Sequence, residues 1–293
     1  MGYPWIVWAL LSAFMTASND ALTKKVLVTH NEYLIAWLRL LWALPFLCAS
    51  FVFIPIPALD SIFFLAFIAA LPLEVTATVL YVKALKASPL SLTVPFLSLT
   101  PIFLIVVPYL IIGETISFPG VAGVLMIAIG SYTLNIKEAT KGFLAPLMAI
   151  GKERGSLYMI IVALIYSVTA TLGKLAIQHS SPLFFGIVYY SALAGAMTPL
   201  ALFKNCEKEG VMPCRGAVRA SILPGFCHAT SIGAHTIAIS LTQVAYMISV
   251  KRLSLLIGVV FGYLFFKEAN IRERFFGTLL MIIGFALIVL FHS

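Results

Sequence analysis

Lys251 and Arg252 stand side by side inside an apolar run, VAYMISVKRLSLLIGVVFGYLFF, residues 244–266. At about 1.5 Å per residue, a helix of this length crosses the roughly 30 Å of bilayer hydrocarbon. One cation near the middle of such a helix costs about 2.5–3.5 kcal/mol on insertion scales. Two in succession require anionic partners, a wet cavity or an anionic ligand. Adjacent helical residues point about 100° apart, so the two heads would reach a common polar space from two sides. A planar guanidinium beside a mobile ammonium suits a carboxylate or a phosphate. The competing reading is a pair of cations neutralised by Glu74 and backbone carbonyls.

Glu74 falls near the middle of another apolar run, in LPLEVTAT (71–78). A carboxyl there either ties two helices together or serves as a proton-coupling or substrate-gating group. His228 and His235 lie seven residues apart, on one helical face. With Thr230 and Ser231 they suit a cavity wall. No carboxylate or thiol shares a zinc spacing with them, so no metal is expected. Arg39 is a third intramembrane cation, and Asn19 and Asp20 interrupt the first apolar run. Asp20 reads as structural, capping a helix break or pairing with a basic residue. Tyr246, Tyr263 and Phe103 are the aromatic candidates for a less polar solute. GxSxG, HExxH, Walker and dinucleotide fingerprints are all missing, so neither an enzyme nor a cofactor is expected.

The elements that must position these residues follow from composition. The chain of 293 residues is 61% hydrophobic and only 10% charged. A soluble domain is nearer one quarter charged. An all-α integral membrane protein is therefore expected, multi-pass, in the cell (inner) membrane. Its net charge of +8 reads as orientation signal and lipid contact, not as a nucleic-acid surface. Ten apolar segments can be marked, at about 4–23, 32–54, 61–84, 89–112, 117–136, 156–175, 182–203, 219–239, 243–266 and 273–292. Prolines inside them, with Pro95, Pro101 and Pro108 crowding the fourth, mark kinks. Glu114 and Glu268 lie at segment ends and should meet backbone or basic groups.

The two halves resemble each other. TASNDALTK (16–24) matches YSVTATLGK (166–174) at an offset of 150. At an offset of 154, Tyr109 falls on Tyr263, Glu114 on Glu268, Gly123 on Gly277, Gly130 on Gly284, Pro45 on Pro199 and Glu74 on His228. Five spans per repeat force the halves into opposite orientations. The expected division is residues 1–136 and 156–293 as two inverted five-helix repeats, ten transmembrane helices in all. Residues 137–155, basic at both ends around an apolar middle, would join them as an interfacial linker. Fifteen of the nineteen Lys and Arg lie in odd-numbered connections. One, Lys174, lies in an even-numbered connection, and three lie within spans. The basic side faces the cytoplasm, so the count puts both termini outside.

ASNDALTK (17–24), AWLR (36–39), LIIGETIS (110–117), the Gly123/Gly130 pair and SVKRLSLLIGVVFGYLFFKE (249–268) occur in this order. Together they resemble the ten-helix EamA-type branch of the drug/metabolite transporter superfamily over nearly the whole chain. The resemblance implies a secondary transporter whose cavity is lined largely by spans 3, 4, 8 and 9, so that Lys251 and Arg252 line it. The Lys-Arg pair is also similar to that of the triose-phosphate translocators. Those relatives carry a further lysine in span four, which this chain lacks. The resemblance implies cytoplasmic termini, and the count of this chain's own residues outweighs it.

The expected function is movement of a small metabolite by alternating access at a midplane site. The substrate-contacting candidates are Lys251, Arg252, Glu74, His228, Tyr246 and Arg39. Three cations against Asp20 and Glu74 favour an acidic or zwitterionic solute. An exporter of apolar or aromatic metabolites or drugs is the alternative, and a membrane-embedded lipid-modifying enzyme is a reading from another class. The partners expected are the solute, membrane lipid and a coupling proton or counter-substrate.

Overall fold

In the computed structural model the described residues are 4–27, 32–51, 54–87, 94–135, 154–206, 215–266 and 275–291, and they are all-helical or in short turns. The first half holds α1 (Pro4–Leu27), α2 (Glu32–Phe51), α3 (Ser61–Ala87), a 3₁₀ turn (Val94–Leu99), α4 (Thr100–Ile112) and α5 (Phe118–Asn135). The second holds α6 (Arg154–Gln178), α7 (Pro182–Cys206), α8 (Arg215–Ala220), α9 (Ile222–Leu241), α10 (Val244–Lys251), α11 (Ser254–Phe266) and α12 (Phe275–Phe291). Each of the ten apolar segments is thus helical where it is described. Most of the 137–155 linker, Cys214 and Glu268 lie outside the described residues, as does the side chain of Tyr263.

The protein is an all-α, multi-helix integral membrane protein. Among the described residues, four stretches are long and apolar enough to cross a bilayer: Ser61–Tyr81, Arg154–Gln178, Pro182–Phe203 and Val244–Phe261. Four more apolar helices are shorter, at Tyr33–Ala49, Phe96–Ile112, Phe118–Leu134 and Phe276–Phe291. α1 and α9, which carry Asn19 and Asp20 or His228 and His235, fall in neither group.

Helices from the two halves pack against each other: α1 on α9, α2 on α7, α3 on α6 and α5 on α12. Lipid tails are as apolar as leucine, so small residues and hydrogen bonds must drive this association. In α1, Ala9, Ala13 and Ala17 are buried, and Ser12 and Thr16 reach Ser231 of α9. The Ser12 hydroxyl donates to the Ser231 carbonyl at 3.1 Å, and the Thr16 and Ser231 hydroxyls meet at 2.8 Å. Trp37 Nε1 donates to Thr198 Oγ1 at 2.9 Å between α2 and α7.

At the α5–α12 crossing the backbones approach closely. A Cβ on Gly123 would sit 2.7 Å from the Gly284 carbonyl oxygen, and one on Gly284 would sit 2.6 Å from that of Gly123. Gly130 and Gly277 make the same reciprocal approach, at 2.6 and 2.8 Å. The ninth segment also carries a glycine pair at GxxxG spacing, in GVVFG (258–262), yet a Cβ on Gly258 would meet nothing within 4 Å.

Besides the break at Ser221 between α8 and α9, two segments depart from a simple helix among the described residues. The fourth opens as a 3₁₀ turn that gives way to α4 at Thr100-Pro101. Proline lacks an N–H, and its ring displaces the carbonyl four residues back; for Pro101 that carbonyl belongs to Leu97. The ninth, expected as one helix, is jointed after Lys251. Arg252 N–H donates to Ser249 O (3.0 Å), Leu253 N–H to Val250 O (3.0 Å) and Leu255 N–H to Arg252 O (2.9 Å). These are i→i−3 bonds, so the joint is a tightened 3₁₀-like turn between α10 and α11.

Candidate functional site

The joint opens onto a cavity of about 260 Å³ lined by residues of both halves. In a 3₁₀ turn, residues three apart eclipse one another. Ile248, Lys251 and Ser254 are spaced in this way, and all three line the cavity. Arg252 lines it too, from the next side of the joint. Its Nη2 donates to the Leu97 carbonyl at 3.1 Å, the carbonyl that Pro101 releases from helical pairing. Its Nε is buried and has no hydrogen-bond partner among the described residues. Among the described residues, neither Lys251 nor Arg252 has a carboxylate oxygen within 4.0 Å.

Glu74 lies thirteen residues from each end of α3 and lines the cavity together with Thr169 of α6. Pro72, two residues before Glu74, has its carbonyl capped by the Thr76 hydroxyl at 2.7 Å, and Thr78 caps the carbonyl of Glu74 itself at 2.9 Å. Hydroxyls from the same helix thus satisfy the backbone near the acid. Lys251 lies within electrostatic range of both Glu74 and Asp20. One wall is therefore cationic and another acidic.

The aromatic wall was not read from the sequence. Tyr166, Phe185, Tyr189 and Tyr190 of α6 and α7 all line the cavity. Tyr189 stacks on Phe185 (centroids 5.0 Å, 20°) and meets Tyr190 edge-on (5.6 Å, 85°). It is 6% exposed, and its hydroxyl has no hydrogen-bond partner among the described residues. His235 Nδ1 is likewise buried and without a partner among the described residues, and His235 lines the same cavity. The resemblance implied walls from spans 3, 4, 8 and 9, yet α6 and α7 supply much of the lining. The tyrosine doublet at 189–190, inside an apolar segment, was the available signal.

Three of the sequence-derived candidates have other neighbours. His228 lies behind the aromatic wall, edge-on to Tyr190 (6.1 Å, 90°). Arg39 Nη1 lies 3.8 Å from Asp20 Oδ1. The Asn19 amide fits best with its oxygen on Arg39 Nη1 (3.1 Å) and its nitrogen on the Pro224 carbonyl (3.1 Å), so α1 holds this arginine. Tyr246 is 1% exposed, and its hydroxyl accepts the Ser117 N–H at 3.2 Å, at the α4–α5 turn. Phe103 is half-buried and does not line the cavity.

Lys174 was assigned to a connection, but it lies inside α6, buried and paired with Glu114. Among the described residues, groups of three or more His, Cys, Asp or Glu that could hold a metal are absent.

No curated protein matches the chain. A solved crystal structure superposes on it with a TM-score of 0.77, covering 100% of this chain and 98% of its own. At 16% identity that likeness is one of fold. The model of the EamA-like transporter family matches twice, over residues 3–136 and 153–290, one match to each half of the sequence. With nearly its whole length accounted for in this way, the chain belongs to the EamA-like transporter family.

Proposed function

We propose that the chain is a secondary transporter that carries a small acidic or zwitterionic solute through the central cavity by alternating access. Lys251 and Arg252 would contact the anionic group. Glu74 would take a cationic group or a coupling proton. His228, through Tyr190, and Arg39, through Asp20, would set the walls from behind. The carrying observation is the cation pair itself: two adjacent cations line one cavity without a carboxylate at ion-pair distance among the described residues. A buried charge left in that state gains when an anion arrives.

The architecture we propose is ten spans in two inverted repeats, residues 1–136 and 156–293, with 137–155 between them. The double family match supports it. So do the reciprocal glycines, because Gly123 and Gly277, and Gly130 and Gly284, are mates at offset 154, while the close approaches run Gly123–Gly284 and Gly130–Gly277. Exchange of this kind is what a two-fold axis produces.

A second reading, export of apolar or aromatic solutes, has the aromatic wall in its favour. One experiment separates the two. Thermal melts of the purified protein are run with amino acids, monocarboxylates, phosphate esters and neutral aromatic compounds. Under the leading reading an acidic or zwitterionic compound raises Tm. Lys251→Met and Arg252→Met should fold and weaken that compound about 10- to 100-fold, the worth of one charge-assisted bond. Stabilisation by neutral aromatics alone, unchanged in both variants, would favour the second reading.

A further inference from the structure

Glu114 follows Gly113, which ends α4 in the left-handed conformation (φ +70°) and turns the chain sharply. The turn delivers the carboxylate to two groups of the second half. Oε1 accepts from Lys174 Nζ of α6, and Oε2 accepts the Val244 N–H at 2.9 Å, the first residue of α10. Lys174 also donates to the Thr242 carbonyl at 2.6 Å, between α9 and α10. Glu114 and Lys174 together therefore fasten α6, the end of α9 and α10. The ion pair sits at the end of the cavity nearest this face: Gly173, beside Lys174, lines the cavity, as do Ile177 and Ile239. At the same face Asp60 Oδ2 meets His179 Nδ1 at 2.6 Å, tying the start of α3 to the end of α6. Of the ion pairs among the described residues, these two join the halves, whereas Asp20–Arg39 lies within the first.

We propose that Glu114 and Lys174 form the latch that closes the cavity on the face of the α4–α5 turn, and that the latch positions α10 and therefore Lys251. This rests on the alternating-access reading. A buried ion pair adds little stability over an apolar contact of the same shape. It differs in how it opens: both charges regain water when the helices part, so the open state is not penalised as an exposed apolar seal would be. Glu114 does double duty, since its charge also caps the positive N-terminal end of α10. Releasing it frees the half-helix that ends in Lys251.

The test reads accessibility, not transport. Ile239→Cys is introduced into a chain whose Cys48, Cys206, Cys214 and Cys227 are alanine. A membrane-impermeant maleimide is applied from each face, to intact cells and to inside-out vesicles. Ile239→Cys alone should label poorly from the latch face. The neutral double variant Glu114→Gln/Lys174→Met strands no charge and should fold. Its labelling from that face should rise about tenfold or more, as expected when a closed state loses its differential contact. Lys174→Arg keeps the charge and should match the parent. Poor labelling of a folded double variant overturns the proposal. So does failure of the double variant to fold, which would make the pair a folding element, and so does ready labelling of the parent. Lys251→Met should lose the acidic ligand yet keep the parent's labelling, so the binding reading and the latch can fail separately.

Discussion

Asp60 divides one carboxylate between two tasks. Oδ1 accepts the Phe63 N–H at 2.9 Å and caps α3, while Oδ2 holds His179. The bond from the Phe63 backbone, then His179, keeps this carboxyl below the usual carboxylate range. A depressed acid stabilises the fold fully above its unfolded value and loses that contribution as pH falls through its folded one. Melts of the detergent-solubilised protein should therefore lose this contribution below pH 3.8, the ordinary value for the group. Asp60→Asn keeps an acceptor for the cap and should flatten the acid limb of the Tm–pH profile. Asp60→Ala loses the cap as well and should melt lower at every pH. An unchanged acid limb in Asp60→Asn would show that the charge is irrelevant. Glu74 is the other acid worth changing. Glu74→Gln is isosteric and should fold like the parent, while the pH dependence of uptake into proteoliposomes shifts or disappears. Normal transport with the parental pH profile would remove Glu74 from coupling.

At the level of elements, the α5–α12 crossing and the α10–α11 joint are set by different causes. The crossing depends on four missing side chains. Gly123→Ala or Gly277→Ala puts a Cβ within 2.7 or 2.3 Å of a neighbouring oxygen, so the helices must separate. Overpacking of this kind costs about 1–3 kcal/mol, and each variant should melt lower in detergent. Gly195 is the control: it lies inside α7, and a Cβ added there would meet nothing within 4 Å. Gly195→Ala should be neutral, or stabilise by up to about 1 kcal/mol. If all three variants melt alike, close approach is not what these glycines provide. The joint has no such local cause, because residues 244–266 contain no proline. Its partner lies elsewhere in the chain: Pro101 frees the Leu97 carbonyl from α-helical pairing, and Arg252 shares it with the Thr100 hydroxyl.

For the whole molecule, orientation follows from where the basic residues end up. Lys174 was the single basic residue counted on the even-numbered side. Its burial against Glu114 removes it from that loop, so the asymmetry between the two faces is larger than the count implied. The odd-numbered connections are therefore expected in the cytoplasm. In the cysteine-free background, Ile56→Cys, 71% exposed between α2 and α3, should react with impermeant maleimide on intact cells. Lys25→Cys, exposed near the end of α1, should react only in inside-out vesicles. The reverse pattern would mean that the usual cytoplasmic termini of related transporters apply here.

The amino-acid sequence by itself determined what depends on periodicity and solvent. Long apolar segments with little charge have one stable arrangement in lipid, the helix, because every backbone group must be satisfied internally. The helices therefore lie where hydropathy put them, and Lys251, Arg252 and Glu74 stood out because charges in such helices are expensive. The glycine and glutamate spacings are likewise the sequence's contribution to the repeat we propose. What only the tertiary structure decided is which groups meet. Arg39 carried the same signal as Lys251, and Tyr246 was an aromatic candidate, yet Arg39 is engaged by α1 and Tyr246 by the α4–α5 turn. Tyr189 and Tyr190 carried almost none and form a cavity wall. Lys174 read as a loop residue and is the partner of an acid sixty positions away. Such pairings follow from the packing of one half against the other, where a neighbour far along the chain satisfies or displaces a polar group, and a linear pattern contains no record of that neighbour.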